Sequence, residues 1–270
     1  MTVTAMGTGR APESPVALVT GATSGIGLAI ARDLGARGHR VFLCARTESA
    51  VKQTVEDLRA EGLCVEGMAA DVTDRTAVQA LVGAAVATYG APLGILVNNA
   101  GRSGGGATAD ITDELWHEVI DTNLHSVFLL TREALNAGGL ATADWGRIIN
   151  IASTAGKQGV LLGAPYTASK HAVVGLTKAL GKELAPTGVT VNAVCPGYVE
   201  TPMAARVRSG YAQAWDTTEE YVQEQFEAKI PLGRYSTPEE VAGLVGYLTT
   251  DLAASITAQA LNVCGGLGNF

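Results

Sequence analysis

The chain has 270 residues, 47% of them hydrophobic, with 33 glycines, a net charge of -7 and a pI near 5.1. That length fits one large α/β domain or two small ones, with apolar side chains enough for a sizeable core. The acidic balance excludes a general nucleic-acid binder and makes any acidic partner depend on a local basic patch. No apolar run approaches membrane-spanning length, and residues 1–14 lack the apolar centre of a signal peptide. The chain therefore reads as cytoplasmic, with a disordered tail over 1–14. Cys44, Cys64, Cys195 and Cys264 are far apart, without metal or redox spacing, and read as reduced thiols. His117-Glu118 begins like H-E-x-x-H, but Asp121 stands where the second histidine belongs, so no metal site is expected.

In chain order, Pro15–Thr20 is a short apolar strand that runs straight into Gly21-Ala-Thr23-Ser24-Gly25-Ile26-Gly27 and a helix to about Arg37. Glycines at a strand-to-helix turn let backbone amides approach a phosphate, and the new helix N-terminus adds its positive end. The next strand, Arg40–Ala45, ends on Arg46. That position reads the adenosine ribose in a dinucleotide fold, and a guanidinium there forks onto a 2′-phosphate, which favours NADP(H). Glu48 close by and an ordinary solvated arginine are the counter-readings.

Helix 49–61, strand Leu63–Ala70 ending on Asp71-Val72, helix 74–89 and strand Gly94–Val97 continue the alternation. Strands alternating with amphipathic helices predict a Rossmann-like, doubly wound parallel sheet with helices on both faces. Asp71 is placed either to accept from an adenine amino group or to cap a helix. Asn98-Asn99-Ala100-Gly101 ends a strand where ligands sit in such sheets. A long helix is predicted from Ile111 to Ala137, with Asn123 a poor residue in its middle whose cost suggests a held water or a distorted turn.

Gly146–Ser153 reads as a buried strand ending on a hydroxyl, and Tyr166-Thr-Ala-Ser-Lys170 opens a helix to about Leu184. Four residues apart, the Tyr166 phenol and the Lys170 ammonium share a face, and the cation is expected to lower the phenol's pKa. Ser153, Tyr166 and Lys170 together suit polarising and protonating a carbonyl. The strand Val189–Val194 closes on Cys195-Pro196-Gly197. From Tyr198 to Arg234 the rhythm breaks into a polar stretch with spaced aromatics, read as a helical lid near 200–233 or as a helical pair whose aromatics simply pack. Thr237-Pro238-Glu239-Glu240 marks a sharp helix start, and Gln259–Val263 a last strand. No repeat or linker divides residues 15–270, so one domain is expected.

The motifs T-G-x-x-x-G-I-G (Thr20–Gly27), N-N-A-G (Asn98–Gly101), Asn123, Ser153, Y-x-x-x-K (Tyr166–Lys170) and Pro196-Gly197 occur in order. Together they resemble the short-chain dehydrogenase/reductase family from Pro15 onward. Asn98–Thr108, Asp113–Trp116, Ala152–Val160, Asn192–Met203 and Ala258–Phe270 are similar, more narrowly, to the actinorhodin-type ketoreductases of aromatic (type II) polyketide synthases. Ser103 departs from that pattern, because several relatives have proline there.

The resemblance implies that Ser153 bonds the substrate carbonyl, Tyr166 delivers its proton, Lys170 bonds the nicotinamide ribose and Asn123 positions a relay water. It implies NADPH held by Gly21, Thr23, Ser24, Gly25, Ile26 and Gly27 at the phosphates and by Arg46 at the 2′-phosphate. Asp71 and Val72 would meet the adenine, and Asn98, Asn99, Ala100 and Gly101 the ribose. Tyr166, Lys170, Pro196, Gly197, Val199 and Thr201 would flank the nicotinamide. Ser103, Gly104, Gly105, Gln158, Val160, Met203, Tyr211 and Trp215 are the expected substrate wall. Arg102, Arg206, Arg208 and Arg234 are the expected dock for an acyl carrier protein, and a homotetramer is the family's usual assembly. A fatty-acid 3-oxoacyl-carrier reductase, a general ketone or alcohol oxidoreductase, and a non-catalytic NADP(H)-binding regulator are the rival readings.

Overall fold

The computed structural model describes residues 11–268. Its elements are β1 (Val16–Thr20), α1 (Gly25–Ala36), β2 (Arg40–Ala45), α2 (Glu48–Ala60), β3 (Val65–Ala69), α3 (Arg75–Tyr89) and β4 (Leu93–Asn98). Then come α4 (Asp113–Ile120), a π turn (Asp121–His125), α5 (Ser126–Asn136), β5 (Gly146–Ile151), α6 (Ala164–Glu183) and β6 (Val189–Pro196). The chain ends through α7 (Pro202–Ala214), α8 (Glu219–Glu227), α9 (Pro238–Leu248) and β7 (Ala260–Val263).

Every residue of β1, β4, β5 and β6 is buried, as strands covered on both faces must be. All seven strands pair in parallel in the order β3-β2-β1-β4-β5-β6-β7. Val19, Ile30, Leu43, Ile149, Val241 and Val245 belong to the core on one face. Leu18, Phe42, Leu81, Leu96, Leu130 and Ile148 belong to the core on the other. Strand order reverses between β1 and β4, which opens a crevice at their carboxyl ends. The loops after β1, β4, β5 and β6 all reach it.

The start of α9 is as predicted: Thr237 accepts from the Glu240 amide at 3.3 Å while Glu240 accepts from the Thr237 amide at 2.8 Å. Two expectations need correction. The helix predicted from Ile111 starts at Asp113, because the Thr112 hydroxyl caps it by accepting from the Leu115 amide at 3.2 Å. The distorted turn expected at Asn123 is a π turn, which widens the helix around that buried residue. The tail expected over 1–14 falls outside the described residues for 1–10, while 11–14 are tied down. Ala11 donates its amide to Asp251 at 3.2 Å and Ser14 its hydroxyl to the Gly38 carbonyl at 2.9 Å.

Helices α7 and α8 form the insertion expected near 200–233. They enclose a small core of their own, Ala212, Val222, Phe226, Ile230 and Tyr235, walled by Tyr198 and Tyr211.

Candidate active site

Ser153 follows β5, and its buried hydroxyl accepts from the Ala155 amide at 3.0 Å. With one lone pair engaged from behind, that hydroxyl keeps its proton for an acceptor in the crevice. Tyr166 sits in the first turn of α6, half-buried, within hydrogen-bonding reach of Ser153. One turn further, the Lys170 ammonium lies 5.8 Å from the Tyr166 ring centroid and donates to the Ile151 carbonyl at 2.8 Å. Asn123 completes the group from the π turn. Its carboxamide brackets the Arg102 backbone, accepting from the amide at 2.8 Å and donating to the carbonyl at 3.0 Å, and also donates to Ser169 at 3.1 Å. Ser169 in turn donates to the Tyr166 carbonyl at 2.7 Å.

The electrostatics differ from the sequence expectation. Burial is the largest influence on the Tyr166 phenol and pushes it up, while the Ser153 hydrogen bond pulls it down. Burial also lowers the Lys170 ammonium to about 8. The ammonium is committed to the Ile151 carbonyl, and the water that each group loses favours its neutral form. The expected depression of Tyr166 by Lys170 is therefore corrected: Tyr166 is a phenol at neutral pH, the form that donates a proton.

Across the crevice, the Thr20 hydroxyl accepts from the Asn99 and Ala100 amides at 3.1 and 3.0 Å. The Asn99 side chain donates to the Thr20 and Gly21 carbonyls at 2.9 and 3.0 Å, which ties the glycine-rich turn to the end of β4. Gly27 must lack a side chain, because a Cβ there would lie 2.3 Å from the Gly21 carbonyl oxygen. Ser24 precedes α1 without capping it by a side-chain bond, so the first amides of that helix face an open turn. Arg46 is exposed beyond β2, and Glu48 is taken by Lys52 at 2.6 Å. Among the described residues Arg46 has no ion pair, although its charge helps hold the Asp71 carboxyl low, after the larger effect of the Thr73 amide. Uncapped amides, a turn too tight for a Cβ and an exposed guanidinium are the donor set that a 2′-phosphorylated dinucleotide requires.

One expected contact turns elsewhere, and one alternative falls away. The Asn98 carboxamide is buried behind β4, donating to Asn150 at 2.8 Å and Thr131 at 3.2 Å, so its side chain does not reach the crevice. Asp71 caps no helix. It accepts from the amide and hydroxyl of Thr73 at 2.9 and 2.7 Å, while Asp74 caps α3.

The loops expected to form the substrate wall do converge. Gly104 packs on Val119 and Gly105 on the Leu162 carbonyl, which also accepts from the Gly106 amide at 2.8 Å. Leu162 holds a left-handed φ of 57°, a strained conformation for leucine fixed by that bond. The Tyr211 hydroxyl reaches from α7 to the Leu161 carbonyl at 2.5 Å. Trp215 packs edge-on against Tyr211 and Phe226, so it braces the insertion. Met203 lies in the first turn of α7, after Thr201 caps that helix. Gln158 and Val160 stand on the loop between Ser153 and Tyr166.

The arginine dock is corrected in part. Arg208 is only 12% exposed, forks onto Glu200 at 2.8 and 2.9 Å, and lies over the Tyr235 ring. It holds the insertion to the body. Arg102 is paired with Glu118 and Arg234 with Glu240. Arg206 alone of the four makes no ion pair among the described residues.

The short chain dehydrogenase profile matches residues 15–212. The chain belongs to that family. It is 72% identical, over 95% of its length and 98% of the relative, to the ketoacyl reductase ascribed to the monensin polyketide synthase of Streptomyces virginiae. It is 37% identical, over 94% of its length and 98% of the relative, to the 3-oxoacyl-acyl-carrier-protein reductase of Escherichia coli. A crystal structure of a single-site variant of the actinorhodin polyketide ketoreductase with NADPH superposes with a TM-score of 0.93 at 57% identity, covering 97% of this chain and all of that one. Two side chains of the site carry no role that the sequence pattern alone assigns. Thr20 stands at the head of the glycine motif, and Ser169 lies between Tyr166 and Lys170. A hydroxyl at a strand end and one beside the lysine were the available signals.

Proposed function

We propose that this chain is an NADPH-dependent ketoreductase that reduces one ketone of a carrier-protein-bound aromatic poly-β-ketone to a secondary alcohol in polyketide synthesis. The observation that carries the reading is the Ser153–Tyr166–Lys170 group in the crevice of a chain 72% identical to a polyketide synthase ketoacyl reductase. Reduced nicotinamide supplies the hydride.

The turn from Gly21 to Gly27 and the uncapped end of α1 hold the pyrophosphate, and Arg46 holds the 2′-phosphate. Val72 with Asp71 meets the adenine, Ala100 and Gly101 the ribose, and Pro196, Gly197, Val199 and Thr201 the carboxamide side. Ser153 donates to the carbonyl oxygen and lowers the cost of charge developing there. Tyr166, kept as a phenol by burial, transfers its proton to the same oxygen. Lys170, with a pKa of about 8, replaces that proton without leaving the buried site. Both donors of the Asn123 carboxamide are engaged, with Arg102 and Ser169, so the relay water is assigned to the backbone of the widened turn.

Ser103, Gly104, Gly105, Gln158, Val160, Met203 and Tyr211 form the substrate wall. Docking of the acidic carrier falls to Arg206, helped by the exposed guanidiniums of Arg102 and Arg234. Residues 15–270 act as one domain, and a homotetramer is the expected assembly.

The test compares a fused-ring ketone such as decalone with a short β-ketoacyl thioester, each with NADPH and NADH. Preference for the ring ketone and for NADPH supports the reading. Higher kcat/KM on the short thioester would transfer the protein to fatty-acid-type reduction.

A further inference from the structure

Ser153 is useful only if its hydroxyl is aimed, and a serine side chain has three staggered choices. The aim is set by the short turn Thr154–Gly156 that follows. Within it, the Ala155 amide donates to the Ser153 hydroxyl at 3.0 Å, and the Gly156 amide to the Ser153 carbonyl at 2.9 Å. Gly156 lies directly on the Lys170 carbonyl, where a Cβ would come within 2.6 Å. The turn closes on Lys157, whose amide donates to the Thr154 carbonyl at 3.0 Å.

Lys157 does not end in solvent. Its ammonium crosses to the last strand and donates to the Ala260 carbonyl at 2.7 Å and to the Asn262 side-chain oxygen at 2.9 Å. Asn262 is itself held, donating to the Gly268 carbonyl at 3.0 Å. It sits beside Cys195 in the β6–β7 register, directly ahead of Pro196-Gly197. A turn of four residues is thus gripped at one end by β5 and at the other by a charge-assisted bond to β7, more than 100 residues later in the chain.

We propose that Lys157 is a positioning residue for Ser153: its ammonium anchors the turn after β5 to the Ala260 carbonyl and Asn262 of β7, and so fixes the direction of the Ser153 hydroxyl. The inference rests on the ketoreductase reading, because it assigns Lys157 a part in that reaction without contact to the reacting atoms. It also makes the C-terminal stretch through Asn262 and Gly268 part of the scaffold of the catalytic serine.

The experiment is a double-mutant cycle read as steady-state reduction of decalone by NADPH, with wild type, K157M, S153A and the double variant, and K157R beside them. K157M is expected to lower kcat by on the order of 10- to 100-fold, the range of small misplacements, with KM for NADPH changed less than about 2-fold. K157R, which keeps a cation and its donors, should recover most of the loss. In the S153A background K157M should cost less than about 2-fold more, since the group it aims is gone. Losses that multiply across the cycle overturn the assignment of Lys157 and leave the ketoreductase reading intact. Undiminished turnover by S153A overturns both. If K157M does not fold, N262L takes its place in the same cycle, with several-fold loss expected and the same two refuting results.

Discussion

Replacing Lys170 with methionine should make the protein more stable at neutral pH while abolishing its activity. Lys170 is 5% exposed, and burial lowers its ammonium from an ordinary 10.5 to about 8. Between those values the unfolded chain binds more protons than the folded one, so Lys170 makes stability rise with pH across that window. Below pH 8 its penalty is complete, and above 10.5 it has vanished. The size of the lowering corresponds to about 3 kcal/mol. Against this, Lys170→Met loses the bond to the Ile151 carbonyl, about 1 kcal/mol, and leaves that carbonyl for water or a neighbour to satisfy. A net gain of about 2 kcal/mol is expected at pH 7, which for a chain of this size raises Tm by about 5 °C. Thermal or urea unfolding of wild type and variant, run in parallel from pH 7 to pH 10.5, measures it. The advantage should shrink steadily above pH 8. A variant that is less stable at pH 7, or a difference that stays constant with pH, refutes the argument.

Other substitutions test the remaining parts of the site. Tyr166→Phe should lower kcat by on the order of 10³-fold while NADPH still binds, as fluorescence titration would report. Arg46→Asp should erase the preference for NADPH, shifting the NADPH/NADH ratio of kcat/KM by on the order of 10²-fold, because repulsion replaces a charge-assisted pair. Gly27→Ala should raise KM for NADPH at least about 10-fold, since misplacing a binding turn is felt at that scale and the new Cβ would displace the Gly21 carbonyl. Arg206→Glu should raise KM for a carrier-bound substrate and leave decalone turnover unchanged, whereas equal losses on both would remove Arg206 from the dock.

The alternation of strands and helices was readable because strands buried on both faces need continuous apolar runs, and β1, β4, β5 and β6 have them. The distortion at Asn123 was also readable, since an amide that competes for backbone bonds is a poor choice for a helix unless the helix is meant to deform. What escaped the sequence depended on distance and burial. Arg208 looked like Arg206 on paper, and only the fold brings Glu200 and Tyr235 around it. The sign of the Tyr166 shift was missed because helical spacing gives adjacency, whereas the pKa is governed by how much water both groups lose. Asn98 and Asn99 read as a pair of ligands, yet strand alternation sends their side chains to opposite tasks, one into the core and one onto the glycine turn. The bond from Lys157 to Ala260 joins residues that no local pattern could associate.

The insertion carries its aromatic residues packed on one another, Tyr198 on Phe226 at 4.6 Å and Tyr211 on Phe226 at 5.2 Å, and its ends are fixed by the caps at Thr201 and Thr237. A segment that supplies its own cohesion between two fixed points behaves as a cassette. Its outer side chains can be exchanged, or its length changed, without repacking the sheet that aims Ser153 and Tyr166. Selection on this scaffold can therefore retune which molecules are admitted while the proton-transfer chemistry stays constant, and a chimera carrying residues 202–230 of another family member is the engineering form of the same freedom.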